Sequence, residues 1–442
     1  MLLAAAGLVF LSASPVEGEV REERVFEPIF QSQVVIHESG CEHEQSVVLV
    51  HGLGDDAARD WDPVLPSLAE RYHVVTVDLP GFGRSEKKNT LYSPFHYAAF
   101  LKWLVDRSVD GEFSVIGHSM GGAVALRFAA TFPKGLRRLV LVDVAGILHG
   151  AAFARFHADA SLERKLGGDS SVSYDYLSRL TGAVIHRFQT PVDPSTLLGS
   201  PAFRQKFLNA DPLRIAALAL IEEDFSLLAP AVTTPTTIIW GEQDPVAPPR
   251  VAWLLGSRIP GTRLRFMPGV GHVPMEEQPE QLAELLHESL ADPWQSDIRP
   301  EPEPSNRVGV CRNENAVVFV GAYDRIEIEG CAGATLLGVR ASRIDVTGSS
   351  VEVMGGRIAS DATALTVRDS WLRATNLKVS GETALVVSDS NLDLAGTDLV
   401  GTAAAIRVEE KSHVIFSLCS VASPQATGPR HDAITLKKDQ LL

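Results

Sequence analysis

The sequence predicts two successive architectures: an α/β fold built on a mainly parallel sheet with a helical cap, and then an all-β solenoid. Three observations carry this. From about Val25 to Ala291, apolar β-rich runs alternate with helix-like stretches, the pattern of a parallel sheet covered on both faces. Between His149 and Pro230 the strand signal stops, and Phe153, Phe156, Tyr174, Tyr176, Phe188, Phe203, Phe207 and Phe225 are scattered through helix-like text. An insertion after a strand reads as a cap over the C-terminal edge of the sheet, with most of these aromatics forming the cap's own core. From Arg325 onward a short unit recurs at starts 18, 21, 20 and 21 residues apart, and such a period means a solenoid.

Composition bounds the reading. A chain of 442 residues exceeds one ordinary core, since cores stop growing near roughly 250–300 residues. An apolar fraction of 45% and a charged fraction of 21% exclude disordered and membrane-embedded classes. Lys and Arg total 40 against 55 Asp and Glu, a net charge of −15, so nucleic acid is not an expected partner.

The segments follow in order. Residues 1–18 contain the apolar run Leu2 to Leu11, too short to span a bilayer and similar to the core of a cleaved export signal. Export to a periplasmic or extracellular space is the expectation. A cytoplasmic apolar start is the alternative, because the first basic residue is Arg21. Residues 25–291 form the α/β domain, with the cap at about 149–230. Its expected strands are Ser46–Val50, His73–Val77, Phe113–Ile116, Arg138–Val142, Thr236–Trp240 and Arg263–Met267, several of them apolar almost throughout. Helical spacing marks Tyr97–Arg107, Ala123–Phe132 and Glu280–Leu290. Residues 292–305, with Pro293, Pro300, Pro302 and Pro304, read as an extended linker that leaves the two domains energetically separable.

Residues 306–442 are the solenoid. Its units begin at Arg325, Arg343, Ala364, Ala384 and Ala405, with Ala433-Ile-Thr-Leu as a candidate sixth. Each has a short alternating strand, turn residues and no room for a helix, so the rungs are expected to be all β. This resembles the right-handed parallel β-helix of pectin-lyase-like proteins, with a β-sandwich as the structural alternative. Asp369 and Asp389 occupy equivalent places, which suits turns better than lyase chemistry. Cys41, Cys311, Cys331 and Cys419 allow three pairings in an oxidising compartment. No Cys/His spacing suggests a metal, and no cofactor is expected.

The chemistry is concentrated in FSVIGHSMGG at 113–122, where a β-run leads through Gly117-His-Ser119-Met-Gly121 into a helix. That pattern lifts a serine hydroxyl out of a strained strand-to-helix turn. A hydroxyl needs a base to take its proton, and His272 lies in the glycine-rich loop Pro268-Gly-Val-Gly-His after the last expected strand. A carboxylate must then orient the imidazole. Asp244 follows the strand ending at Trp240 and fits the order serine, acid, histidine, with Asp143 at another strand end as its rival. Asp55, Asp56 and Asp78 precede the serine and fit less well, and Glu242 reads as a loop cap. Two backbone N–H groups should stabilise an oxyanion: that of Met120, at the helix start, and that of Leu53, in the loop His51-Gly-Leu-Gly.

The strings VLVHGLGD, DLPGFGRS, VIGHSMGG, IIWGEQDP and PGVGHVP occur in the order of the α/β-hydrolase superfamily. The resemblance implies a Ser119, Asp244, His272 triad, with Leu53 and Met120 as oxyanion donors and Asp78, Gly81, Gly83 and Ser85 as a structural turn. It is similar to the cap-bearing group; a serine at position 119 argues against epoxide hydrolases and dehalogenases, which use aspartate there. The implied activity is a serine esterase acting on a small, apolar ester-like substrate. Carbon–carbon bond hydrolysis or acyl transfer is the alternative, and a ligand-binding or adhesion module the rival of another class. The solenoid, with 14 basic and 16 acidic residues from Asn306 onward, names no partner.

Overall fold

The computed structural model describes residues 20–165, 197–296 and 305–442. The expected export signal therefore lies outside the described residues, as do Tyr174, Tyr176 and Phe188 of the cap.

The first domain is an eight-stranded sheet of β1 (Arg21–Glu27), β2 (Ser32–Ser39), β3 (Ser46–Val50), β4 (His73–Asp78), β5 (Phe113–His118), β6 (Leu136–Val142), β7 (Thr236–Gly241) and β8 (Arg263–Met267). The order is β1-β2-β4-β3-β5-β6-β7-β8. The pairs β1–β2 and β2–β4 are antiparallel, and every pair from β4 to β8 is parallel. All six expected strands are present. The opening hairpin β1–β2 was not expected, because β1, with sequence REERVFE, is mostly exposed and lacks an apolar signal.

Parallel strands buried on both faces divide their side chains by alternation. Val48, Val50, Val115, Leu139, Leu141 and Ile238 face one core, with the helices Pro94–Ser108 and Met120–Thr131. Val47, Leu49, Ile116, Val140, Val142 and Ile239 face another, with the helix Pro279–Leu290. The described cap consists of helices Gly150–Lys165, Pro201–Leu208 and Pro212–Ile221. Phe225 is fully buried in the first core, while Phe207 is 49% exposed.

The second domain winds as a parallel β-helix. Equivalent residues stack rung on rung: Ile326 pairs Ile344, which pairs Leu365, which pairs Leu385, which pairs Ile406. Gly330, Gly348, Asp369 and Asp389 take positive φ at the same turn, of 65°, 56°, 46° and 46°, so the two aspartates are turn residues. A serine ladder runs beside them. The N–H groups of Cys331, Ser349, Ser370 and Ser390 donate to the hydroxyls of Ser349, Ser370, Ser390 and Ser412 at 2.9 to 3.2 Å. The segment Ala433–Leu436 is not a sixth rung. It runs antiparallel to Ser412–Ser417 and closes the end of the helix. Cys311 and Cys331 form a disulfide, leaving Cys41 exposed and Cys419 buried.

The domains are packed together. Arg250, 9% exposed at its side chain, pairs through one guanidinium nitrogen with both oxygens of Asp393, 2% exposed, at 3.0 and 2.8 Å. Ala395 and Leu418 of the solenoid belong to the first domain's core. The start of the linker is also pinned: Arg138 and Arg263 lie over the Trp294 ring at 5.5 and 4.1 Å, and Asp292 pairs with Arg137 and Arg138. The linker's composition reads as a spacer between energetically separable domains, but cutting at Pro300 uncovers a buried cation and an apolar face.

The ladder makes a direct prediction. Ser390→Ala removes the acceptor of the Ser370 N–H in a buried turn, and should lower stability by about 1–3 kcal/mol in a denaturant melt. An unchanged midpoint would show that the turn needs no ladder.

Candidate active site

Ser119 sits between β5 and the helix Met120–Thr131 with φ 52° and ψ −118°, a conformation that residues with side chains seldom adopt. The turn closes only because its neighbours are glycines. A Cβ on Gly117 would lie 2.3 Å from the Gly121 oxygen, and one on Gly121 would lie 2.2 Å from the Val50 oxygen. The Ser119 N–H donates to the Val142 oxygen at 2.9 Å, and its carbonyl accepts from Gly122 and Ala145 at 3.1 and 3.3 Å. Met120 opens the helix, so its N–H is among the first four with no acceptor inside the helix.

His272 and Asp244 reach this serine from the loops after β8 and β7. His272 Nε2 is 3.0 Å from Ser119 Oγ, and Nδ1 is 2.7 Å from Asp244 Oδ2. All three residues are less than 8% exposed. The second Asp244 oxygen accepts the N–H groups of Val246 and Ala247 at 2.7 and 3.0 Å. The structure thus brings together the three side chains chosen from the sequence. Such a line can pass the hydroxyl proton to Nε2 while Asp244 faces the imidazolium.

Three further groups hold the line and were not chosen from the sequence. Glu277 accepts the N–H groups on either side of His272, from Gly271 at 2.7 Å and Val273 at 3.2 Å. His118 Nε2 lies 2.7 Å from the His272 carbonyl; burial, then the charge of His272, lowers its pKa to about 3, so it stays neutral and donates there. His51 accepts the Leu79 N–H at Nε2 and so donates from Nδ1 to the Gly52 carbonyl, at 3.0 and 2.7 Å. Burial lowers its pKa to about 4 and keeps that tautomer neutral. The bond fixes the plane of the Gly52–Leu53 peptide, whose N–H is the second expected oxyanion donor. A Cβ on Gly52 would lie 3.1 Å from Ser119 Cβ, so this loop lies against the serine.

Asp143, the rival acid, is fully buried with φ 44° and accepts the Gly241 N–H at 2.8 Å. Its other oxygen has no hydrogen-bond partner. Burial, then the neighbouring Asp244 charge, holds its carboxyl well above the usual range, so it is kept neutral. Asp78 is structural: it accepts from the Ala58 and Arg84 N–H groups, and Ser85 Oγ donates to its carbonyl. Glu242 is exposed in the acid loop.

Among the described residues, Glu38, Cys41 and His73 offer donor atoms within 4.8 Å of one another. His73 is level with Phe113 through Ser46, at the strand ends opposite Ser119, so this trio is remote from the serine. Among the described residues no helix is long and apolar enough to cross a membrane.

The chain matches the family model for the α/β hydrolase fold over residues 45–279. It is 28% identical to Lipase 1 of Psychrobacter immobilis over 262 residues, covering 57% of this chain and 78% of that protein. It is 25% identical to the 2-hydroxy-6-oxo-6-(2'-aminophenyl)hexa-2,4-dienoic acid hydrolase of Metapseudomonas resinovorans over 255 residues, covering 54% and 81%. A thermophilic esterase from Thermogutta terrifontis aligns with a TM-score of 0.45 at 24% identity, over 61% of this chain and 97% of that one. The family match, over more than half of the chain and with the parallel sheet behind it, makes this protein a hydrolase belonging to the α/β hydrolase fold family.

Proposed function

We propose that the protein is a serine hydrolase that cleaves carboxylic esters with an apolar acyl or ring group through an acyl-enzyme. The observation that carries this is the hydrogen-bonded line from Ser119 Oγ through His272 to Asp244. His272 Nε2 takes the hydroxyl proton as Oγ attacks the ester carbon. The oxyanion is met by the N–H groups of Met120 and Leu53, the first at a helix start where the dipole favours negative charge. The imidazolium then protonates the leaving alcohol, and water repeats the sequence to release the acid. Phe153 and Phe156 in the cap suit an apolar group. The carbon–carbon bond hydrolase among the relatives supports a second reading with the same serine, and an acyltransferase would differ only in the acceptor that deacylates it.

The Cys311–Cys331 disulfide supports an exported protein, since such bonds persist in oxidising compartments.

Ser119→Ala should abolish fluorophosphonate labelling and lower kcat by about 10⁵ or more. Full labelling of that variant would remove the serine from the mechanism. A series of p-nitrophenyl esters of rising chain length then measures the acyl site.

Asp244→Asn should cost about 10⁴ in kcat, because it stabilises the wrong imidazole tautomer. Asp143→Asn preserves a neutral group that accepts from Gly241 and should stay within about tenfold of wild type. The opposite ranking would make Asp143 the acid. The pH dependence follows from the raised folded-state pKa of Asp143. Its carboxyl ionises near pH 4 when unfolded but remains protonated when folded, so the contribution of Asp143 to wild-type stability falls as pH rises above about 4. Asn lacks this loss, and the melting temperature of Asp143→Asn relative to wild type should rise with pH over that window.

A further inference from the structure

The acid loop and the solenoid share one helix. Asp244 is followed by Pro245-Val-Ala-Pro248-Pro249 and then at once by the helix Arg250–Arg258. Three prolines limit how far this connection can flex. Ala247, whose N–H is on Asp244 Oδ1, also accepts the Trp240 indole N–H at 3.1 Å. The place of the helix is therefore transmitted to the carboxylate with little slack.

The solenoid grips this helix along its length. At its first residue, Arg250 Nη2 meets both oxygens of Asp393, while Nη1 is buried without a hydrogen-bond partner. In the middle, Asn376 donates to the Trp253 carbonyl at 2.5 Å and accepts from Ser257 at 2.7 Å. At the far end, Arg258 donates to the Leu418 carbonyl and to Asp398 at 3.0 and 2.8 Å. The same domain holds the root of the cap. The His149 N–H donates to Ser417 Oγ at 3.0 Å, and the Arg155 guanidinium lies 5.4 Å from the centre of the Trp371 ring.

We propose that Asp393 is a positioning residue for the hydrolase site, acting through Arg250 on the Asp244 loop, and that the solenoid is thereby part of the catalytic unit. This rests on the serine-hydrolase reading above. A buried guanidinium has one low-energy place, opposite its carboxylate. Fixing it fixes the N-terminal end of the helix, and hence the angle at which Asp244 meets His272. A displacement of about 1 Å in such a line can cost roughly 100-fold in rate.

The test uses the full-length chain and a small, soluble p-nitrophenyl ester, assayed well below each variant's melting temperature. Asp393→Asn should lower kcat between about tenfold and 100-fold and slow fluorophosphonate labelling equally, with KM within about twofold of wild type. Asn376→Gly retains the φ of 57° at that position and leaves no buried charge unpaired, so it remains informative if Asp393→Asn fails to fold. It should lower kcat about threefold to tenfold by loosening the same helix. Val367→Ala, in the solenoid core away from this helix, should lower the melting temperature and leave kcat unchanged. Wild-type kcat in Asp393→Asn or, where that variant does not fold, in Asn376→Gly overturns the proposal, as does a loss of kcat in Val367→Ala equal to that of the interface variants. Failure of wild type to label with fluorophosphonate would instead overturn the serine-hydrolase reading itself.

Discussion

The site is organised around one backbone conformation, the left-handed turn at Ser119. A side-chain-bearing residue held there costs on the order of 1–3 kcal/mol, and persists only where its surroundings determine it. Those surroundings are explicit: the carbonyl of Val142 accepts its N–H, the Ala145 N–H reaches its oxygen, and the glycines at 117 and 121 let β3 and β5 approach the helix. The turn in turn sets the geometry on both sides. It places Met120 at the head of a helix, and it sends the preceding His118 side chain toward the backbone of His272.

Burial does a second task in this region. His51 and His118 are both buried and uncharged, and each uses one ring N–H to hold a loop carbonyl. Asp143 is a third buried group kept neutral by its environment. Fixed neutral dipoles beside the Asp244 carboxylate avoid the cost of further competing charges in a dry interior.

Much of this was legible in the sequence, for physical reasons. Strands β3 to β7 are apolar on both faces because they are covered on both, and the serine, acid and histidine each follow a strand end where loops converge. β1 was illegible because its exposed residues are charged. Glu277 and His118 were illegible because their roles arise from backbone groups brought near by folding. The closing strand Ala433–Leu436 reads as a candidate sixth rung because alternation of period two is the same in parallel and antiparallel strands. The domain contact left no local trace, since Arg250 and Asp393 are 143 residues apart and each is unremarkable in its own segment.

That last pair has a consequence for how such a chain can change over generations. Domains joined by a passive tether can be exchanged, lost or duplicated at little cost, because no residue in one depends on a residue in the other. Here a guanidinium in the first domain is sealed beneath a carboxylate in the second. A recombination event that swapped the solenoid for another of the same shape would strand the cation, and loss of the Asp393 charge alone would do the same. Lineages that retain this architecture are therefore expected to inherit the two positions as a unit, with the rungs on either side of Asp393 drifting more freely than Asp393 itself.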